Sequence, residues 1–394
     1  MTARAAFFLL WACGVSLRLT VLAVPPIISM LQQDLRLSGT EIGLLTGIPV
    51  VIFAIFAAPG SIVITRLGVR SALVWGLLIA AVGGLLRTGV SNAWQLYLLS
   101  IVMSAGIAIM QPAMAAAVRD WVPDRSTFGT AVYTNGLIMG EIIPVAMMLS
   151  VVLPWFDGNW RPALGVWSFP LMATAVAVAI LTPKAPAHAA SNHSGGWLPK
   201  LNRKLNWRIG LTLGSTTSTY FCLNGFLPSS LDASGHHDLI SAALTALNLG
   251  QLPASFLLLL VADRLQGKRW PLLMFGVLSS CCVIGIMISA SAWIVFWAGL
   301  AGFSLAAALV LSLALAPQLC SSNDVALTSA AALAISYGFA MLVSFLSGVA
   351  WDQAGNVNAA FVPILLGSLP ILVAVPAFAR TEQARMRADA SQHG

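Results

Sequence analysis

Two charged side chains lie deep inside apolar runs of this sequence and are its strongest candidates for chemistry. Arg18 lies in the run 5–31, and Glu141 lies in the run 127–153. Each is about 13 residues from the start of its run, or about 20 Å along a helix. A charge at that depth in a bilayer costs roughly 2.5–3.5 kcal/mol, so a partner or a ligand has to offset it.

Two interpretations follow from this placement. In the first, Arg18 and Glu141 pair with each other and hold two helices together. In the second, Arg18 faces a central cavity and binds an anionic or electron-rich substrate, because a guanidinium offers planar, bidentate donors and stays charged. The two combine if Glu141 orients Arg18 and is joined or replaced by substrate. Glu141 is also a candidate for proton coupling, because a low-dielectric medium disfavours a charged carboxylate.

Polar residues in other apolar runs are further candidates for lining such a cavity. Tyr220 and Asn224 are four residues apart and share a helix face. Gly225 and Pro228 follow them, and they predict an interruption that exposes backbone groups to a solute. The remaining candidates are Gln111, Tyr133, Asn135, Asn248, Gln251 and Tyr337. For each of these taken alone, hydrogen bonding between helices is the favoured explanation.

The composition predicts an all-α membrane protein that positions these residues on transmembrane helices. Apolar residues make up 58% of the 394 residues and charged residues 8%, whereas a soluble domain carries about 25% charged residues. A helix needs about 20 apolar residues to cross the hydrocarbon core. Twelve runs satisfy this: about 5–31, 40–64, 71–90, 94–118, 127–153, 161–182, 207–231, 239–262, 270–290, 292–316, 325–350 and 357–379.

The distribution of basic residues predicts the orientation of these spans. With the N-terminus in the cytoplasm, the inner connections and the two tails hold 16 of the 20 Lys and Arg residues. The outer connections hold Arg36, Arg87 and Arg161, and Arg18 lies within a span. Because cytoplasmic loops are enriched in basic residues, we expect both termini to be cytoplasmic, in the inner membrane if the source is bacterial. The net charge of +7 therefore does not indicate nucleic-acid binding.

The chain divides into two similar parts. We expect a six-helix half at 1–182, a cytoplasmic linker at 183–206, a second six-helix half at 207–379 and a cytoplasmic tail at 380–394. A short basic loop recurs between the second and third span of each half. The loop contains Arg66, Gly68 and Arg70 in the first half and Asp263, Arg264 and Arg269 in the second.

Those two loops resemble the loop motif of the major facilitator superfamily, which implies a gating role for the six residues just named. Further segments are similar to the cyanate permease and 2-nitroimidazole transporter family. They are Leu17-Arg18, Pro26, Leu44-Leu45-Thr46-Gly47-Ile48-Pro49, Leu86-Arg87, Tyr133, Trp160-Arg161 and Phe226-Leu227-Pro228. The resemblance implies a major facilitator fold with twelve transmembrane helices in two pseudo-symmetric halves. It also implies a monomer and transport of a cyanate-like anion or a nitroimidazole-like heterocycle by alternating access.

The expected partners are accordingly a small-molecule substrate, the lipid bilayer and, if transport is coupled, protons. The sequence has no phosphate-binding loop, no metal-ligand spacing and no nucleophile elbow, so we expect no enzyme activity, cofactor or metal. Two alternatives stay open. One is a drug or toxicant efflux pump, and the other is a transporter-like receptor that signals without transport.

Overall fold

A computed structural model describes residues 2–182, 203–265, 268–289, 291–319 and 325–376, and every regular element in this part of the chain is helical. Eleven helical segments are long and apolar enough to span a membrane. A twelfth helix, Lys204–Ala233, has 30 residues but a more polar composition. We number the spans α1 Ala3–Leu35, α2 Gly39–Phe56, α3 Arg66–Gly89, α4 Ala93–Trp121, α5 Phe128–Val152, α6 Trp160–Leu181, α7 Lys204–Ala233, α8 Leu239–Leu258, α9 Trp270–Ile288, α10 Trp293–Leu313, α11 Thr328–Ala354 and α12 Val357–Pro376.

These spans confirm the predicted all-α membrane architecture. The break between the ninth and tenth runs, which the sequence marks only weakly, separates Ile288 from Trp293. We call the membrane face that carries the N-terminus the inner face and the opposite face the outer face. The predicted tail at 380–394 lies outside the described residues, as does the linker 183–206 except for its last four residues.

The helix α1 is discontinuous, and Arg18 lies at its first break. The segment Ala3–Ser16 ends just before Arg18, a short turn Leu19–Leu22 follows, and a 3₁₀ turn at Pro25–Ile27 leads into Ile28–Leu35. The two prolines have no N–H to donate, which explains the second break. Arg18 is therefore held where the backbone of a transmembrane helix is irregular, near the middle of the span.

The predicted interruption of α7 is wrong, because this helix is continuous from Lys204 to Ala233 with Pro228 inside it. A proline removes only one backbone hydrogen bond, and neighbours pack against almost every residue of this helix from Thr212 to Leu231. Its hydroxyl groups mostly donate to carbonyls of their own helix, as from Thr212 to Arg208 and from Thr219 to Ser215.

Two glycines bring α5 directly against α1. A Cβ atom on Gly136 would collide with the Trp11 carbonyl oxygen, and one on Gly140 would collide with the Val15 carbonyl oxygen. Such small residues let two helix backbones approach closely in a membrane. This contact fixes the two helices just before the positions of Arg18 and Glu141.

The two six-helix halves meet near the outer face. The carboxylate of Asp352, at the end of α11, accepts hydrogen bonds from the backbone N–H groups of Gly39 (2.6 Å) and Thr40 (2.8 Å) at the start of α2. The Ser344 hydroxyl donates to the Gly43 carbonyl at 2.8 Å one turn further in. An acidic group is well placed at a helix N-terminus, where free N–H groups and the helix dipole favour it. These contacts join α2 to α11, and hence the two halves, near the outer face.

Candidate functional site

The structure brings Arg18 and Glu141 together near the middle of their spans. Arg18 Nε lies 3.1 Å from Glu141 Oε1, and the two side chains are 14% and 4% exposed. The predicted pairing of these residues is therefore confirmed as a contact. Both residues belong to the N-terminal half, so the pair lies within one half of the molecule.

The guanidinium of Arg18 has donors that this pair does not use. Arg18 Nε is close to Glu141 Oε1, but its N–H is not aligned for a hydrogen bond. Arg18 Nη1 is buried and has no hydrogen-bond partner. The guanidinium carbon lies 5.5 Å from the ring centre of Phe53 and 6.0 Å from that of Phe221. Both distances are within the range of a cation–π interaction. Arg18 thus contacts two aromatic rings and one carboxylate, and some of its N–H donors have no acceptor.

Gln251 in α8 joins the C-terminal half to this ion pair. Its Nε2 donates to Glu141 Oε2 at 2.7 Å, and it lies 3.4 Å from the Tyr220 hydroxyl. The second carboxylate oxygen of Glu141 is therefore partnered from across the interface between the halves. This is a neutral donor on an ionised acceptor, a pairing stronger than one between two neutral groups.

Behind Gln251, three further residues continue the polar network within the C-terminal half. The Tyr220 hydroxyl donates to Asn248 Oδ1 at 2.6 Å, and Asn248 Nδ2 donates to Asn224 Oδ1 at 3.1 Å. Asn248 and Asn224 are buried. The shared face predicted for Tyr220 and Asn224 is thus correct, and it points at α8. The network fixes the orientation of each member because every polar group named here has a partner.

The other predicted cavity residues are not joined to this network. Asn135 accepts a hydrogen bond from Trp11 Nε1 at 3.0 Å, which ties α5 to α1. The Tyr337 ring packs edge-on against Phe53, with ring centres 6.4 Å apart, and so stands one layer behind Arg18. Tyr133 and Gln111 are half-buried, and neither side chain has a hydrogen bond to another described residue. Tyr337 is the one of these four that adjoins the site.

The predicted gating residues lie at the inner face. Gly68 has φ +80°, a backbone conformation that favours glycine, and it forms a kink two residues after the start of α3. Arg70 donates to the Ala179 carbonyl of α6, whereas Arg66 is exposed. In the second half, Arg269 immediately precedes α9 and is half-buried. The side chains of Asp263 and Arg264 lie outside the described residues.

The predicted location of Arg87 in an outer connection is wrong. Arg87 is a third deeply buried charge, in addition to the two that the sequence predicts. It is 1% exposed, and its Nη2 donates to the Thr20 carbonyl at 3.0 Å, within the irregular part of α1. The side chain turns inward at the end of α3 because α1 offers an accessible carbonyl there. Phe53 and Phe221 were also missed, because an aromatic residue in an apolar run carries no signal that distinguishes a site from packing.

No three His, Cys, Asp or Glu residues lie close enough to hold a metal ion in the part of the chain that the structure describes. The arrangement instead provides a buried cation with free donors, a carboxylate and neutral hydrogen-bonding groups from both halves. Such a site can bind a small anion or a polar, electron-rich solute by charge-assisted hydrogen bonds.

Known proteins resemble this chain over most of its length. A family model described as the Major Facilitator Superfamily matches residues 10–235. The cyanate transport protein CynX of Escherichia coli (strain K12) is 26% identical over 350 residues, covering 87% of this chain and 89% of that protein. The 2-nitroimidazole transporter of the same organism is 22% identical over 361 residues, covering 90% of each. The uncharacterized transporter YycB of Bacillus subtilis (strain 168) is 24% identical over 282 residues, which span 69% of this chain and 66% of that relative.

Solved structures share the fold at low sequence identity. The nucleoside transporter NupG superimposes with a TM-score of 0.79 at 13% identity, covering 95% of this chain and 99% of that one. The D-xylose-proton symporter gives a TM-score of 0.74 at 12% identity, covering 95% and 97%. The family model, which matches more than half of the chain, and the shared twelve-span fold establish that this chain belongs to the Major Facilitator Superfamily of transporters.

Proposed function

We propose that this chain is a secondary active transporter that moves a small anionic or electron-rich solute by alternating access, and that Arg18 binds this solute. The observation that carries the proposal is the Arg18 guanidinium, which lies near mid-span on a side chain only 14% exposed and whose Nη1 is buried without a partner. A buried guanidinium with free donors is suited to a planar or linear acceptor group. Two relatives are named for cyanate and 2-nitroimidazole transport, and both compounds present electron-rich acceptor atoms.

The position of the site supports alternating access. Arg18 and Glu141 come from the N-terminal half, while Gln251 and Tyr220 come from the C-terminal half, near the middle of their spans. Transporters of this kind bind substrate at the interface between repeats and rock the repeats about it. We propose that the two halves, 1–182 and 207–379, are the bodies that move, and that one chain is the working unit.

The charge of the site supports coupling to protons. Arg18 and Glu141 together carry no net charge, so an anion bound to Arg18 leaves the buried site negative. A proton taken up by Glu141 restores neutrality, which matters because an uncompensated charge in a membrane interior is costly. We therefore propose that Glu141 carries the proton. Acidifying the outer side should accelerate anion uptake into proteoliposomes by the wild type, and Glu141→Gln should transport without this pH dependence.

The aromatic rings beside Arg18 favour a second candidate, which is export of heterocyclic toxicants. Phe53, Phe221 and Tyr337 form an apolar wall next to the cation. Such a wall accommodates a nitroimidazole-like ring as well as a small anion. Growth of cells with and without the chain, in the presence of several unrelated toxicants, separates the two candidates. Resistance to many compounds supports export, and altered sensitivity to cyanate alone supports the anion.

Flux through proteoliposomes tests the main proposal. We expect labelled cyanate or 2-nitroimidazole to exchange across the membrane with the wild type. Arg18→Gln should lower this exchange at least tenfold, and Arg18→Lys should retain part of it, because lysine keeps the charge without the planar donors. Arg119→Gln is the matched control, since Arg119 is exposed and pairs with Asp120 outside the site. Exchange by Arg18→Gln at the wild-type rate contradicts the proposal.

The orientation is also proposed. The surplus of basic residues on the inner face supports cytoplasmic termini, in the inner membrane if the source is bacterial. The exposed ends of the spans allow a direct test. A cysteine replacing exposed Arg66 at the inner face should react with an impermeant thiol reagent only in lysed cells. A cysteine replacing exposed Trp94 at the outer face should react in intact cells.

A further inference from the structure

A small cavity lies between Arg18 and the outer face. Its volume is about 30 Å³, and its polar lining residues are Arg87, Ser100, Thr46 and Asn224. Most of the remaining wall is apolar and comes from the outer part of α1. The cavity lies at the interface of the halves, because Asn224 belongs to α7 and the other three polar residues belong to the N-terminal half.

Arg87 supplies this cavity with a buried cation that lacks a counter-charge. The side chain is 1% exposed, and no carboxylate forms an ion pair with it among the described residues. Its one hydrogen bond joins Nη2 to the Thr20 carbonyl at 3.0 Å, and its Nε is buried without a partner. Buried charges in membrane proteins are almost always paired, so this guanidinium is short of an anionic acceptor.

Ser100 supplies a second donor without a partner to the same cavity. Its Oγ is buried, its residue is 1% exposed, and it has no hydrogen bond within the described residues. Buried polar groups are satisfied by protein, by ordered water or by a bound ion in the great majority of cases. Two unsatisfied donors, one of them charged, therefore line one cavity that has apolar walls. A small anion in the cavity would accept hydrogen bonds from both donors and neutralise the charge of Arg87.

The cavity adjoins the Arg18 site. The Phe221 ring lies 6.0 Å from the Arg18 guanidinium carbon and also lines the cavity, so it borders both cations. Asn224 links them in a second way, because it lines the cavity and accepts a hydrogen bond from Asn248 in the central network. Movement of the Phe221 side chain would connect the two sites.

We propose that Arg87 and Ser100 form a second anion site, which the substrate occupies between the outer face and Arg18. Arg87 binds the anion through its guanidinium, and Ser100 donates its hydroxyl. The identity of the anion as substrate rests on the proposed function. The site itself follows from the unpaired cation, the unsatisfied hydroxyl and the enclosed space. Asp352 and Ser344 join the two halves on the outer side of this cavity, so the anion would enter or leave when these contacts open.

Co-crystals with selenocyanate test this site, because selenium gives an anomalous signal in a linear analogue of cyanate. We expect two anomalous peaks in the wild-type protein, one at Arg18 and one in the Arg87 cavity. In Arg87→Gln the outer peak should vanish while the peak at Arg18 remains. In Ser100→Ala, which leaves the Arg87–Thr20 hydrogen bond untouched, the outer peak should weaken. A peak at Arg18 alone, or a water molecule between Arg87 and Ser100, overturns the proposal.

Exchange kinetics with labelled cyanate in proteoliposomes show whether the outer site lies on the transport route. We expect Arg87→Gln to slow exchange at least tenfold and Ser100→Ala to slow it at least threefold. In both variants, equilibrium binding to the Arg18 site should change less than threefold. Arg119→Gln serves as the control. If Arg87 only ties α3 to Thr20, Ser100→Ala exchanges at the wild-type rate and the proposal fails. Absence of selenocyanate from both sites, with Arg18→Gln still exchanging cyanate, refutes the proposed function as well.

Discussion

The two halves of the molecule contribute different chemistry to the central site. The N-terminal half provides both charges, Arg18 and Glu141, whose side chains meet at 3.1 Å. The C-terminal half provides only neutral groups to the same network, with Gln251 reaching Glu141 at 2.7 Å and Tyr220 beside it. The ion pair is therefore internal to one half, and at the central site the halves are joined by a hydrogen bond from a neutral amide to the Glu141 carboxylate.

This division indicates how the halves can separate at low cost. A hydrogen bond to a charged group contributes about 1.5–3 kcal/mol, and water or substrate can replace it when the interface opens. Loss of one partner from a buried ion pair costs about 3–5 kcal/mol, because the other charge is left uncompensated. If the halves move as proposed, keeping Arg18 and Glu141 in one half lets them separate without that penalty.

The largest effect is expected when the ion pair itself is broken. Arg18→Gln leaves the Glu141 carboxylate buried and uncompensated, so we expect a loss of about 3–5 kcal/mol in unfolding free energy. The double variant Arg18→Gln with Glu141→Gln should recover most of that stability and none of the transport. Chemical unfolding in detergent measures the first quantity, and proteoliposome flux measures the second. Equal stability of Arg18→Gln and the wild type would show that the pair is not coupled.

A double substitution that moves the carboxylate from the N-terminal to the C-terminal half is the sharpest test of this division of charges between the halves. In the double variant Glu141→Gln with Gln251→Glu, the positive charge stays in the N-terminal half and the negative charge moves to the C-terminal half. We expect substrate binding to persist and exchange to slow by roughly 10- to 100-fold, because opening now separates two opposite charges and 1.4 kcal/mol corresponds to a factor of ten. Exchange at the wild-type rate would mean that the location of the charge does not govern the movement.

Removal of the crossing hydrogen bond should have an intermediate effect. Gln251→Ala leaves Glu141 Oε2 without its partner, and we expect about 1–3 kcal/mol of destabilisation of the closed arrangement. Ser336→Ala is the matched control, because the buried hydrogen bond from Ser336 to Thr217 lies within the C-terminal half. It should lower stability without shifting the equilibrium between open and closed forms. Distances between spin labels on α5 and α8 report that equilibrium, and equal shifts in both variants would contradict the account.

The smallest effect is expected at the outer contact between α11 and α2. Asp352→Asn keeps the shape of the side chain and removes the charge that Gly39 and Thr40 donate to. Because Asp352 is exposed, we expect only a modest population shift toward an open outer side. Labelling of a cysteine at Ser100 by a small thiol reagent should become several-fold faster. The Thr40 hydroxyl also donates to Asp352 Oδ2, so Thr40→Val, which removes that one donor, should give a smaller increase. No change in either variant would show that this contact does not control access from the outer side.

The spans and the central charges could be predicted from the sequence because burying a charge in a membrane is costly and therefore informative. Arg18 and Glu141 stand out in apolar runs, and their contact follows once Gly136 and Gly140 bring α1 and α5 together. The polar face of Tyr220 also follows from helical spacing. These features depend on local patterns that a single sequence displays.

Other features depend on packing that the sequence does not display. Arg87 stands at the end of a span, where an arginine normally reaches the membrane surface, and only the irregular backbone of α1 draws it inward. Pro228 predicts a broken helix, yet α7 stays continuous while α1 is discontinuous at Arg18 itself. The bond from Gln251 to Glu141 requires the relative placement of the two halves, which no local pattern contains.

The measurement that tests the central claim most directly is the thermal stability of the purified protein in the presence of cyanate, compared between the wild type and Arg18→Lys. A ligand at 100 times its dissociation constant adds about 2.7 kcal/mol to the native state. The account predicts a stabilisation that saturates with cyanate in the wild type and is strongly reduced in Arg18→Lys, which keeps the charge but not the planar donors. Identical stabilisation of both proteins, or none of the wild type by cyanate or 2-nitroimidazole, would contradict the assignment of Arg18 as the substrate-binding residue.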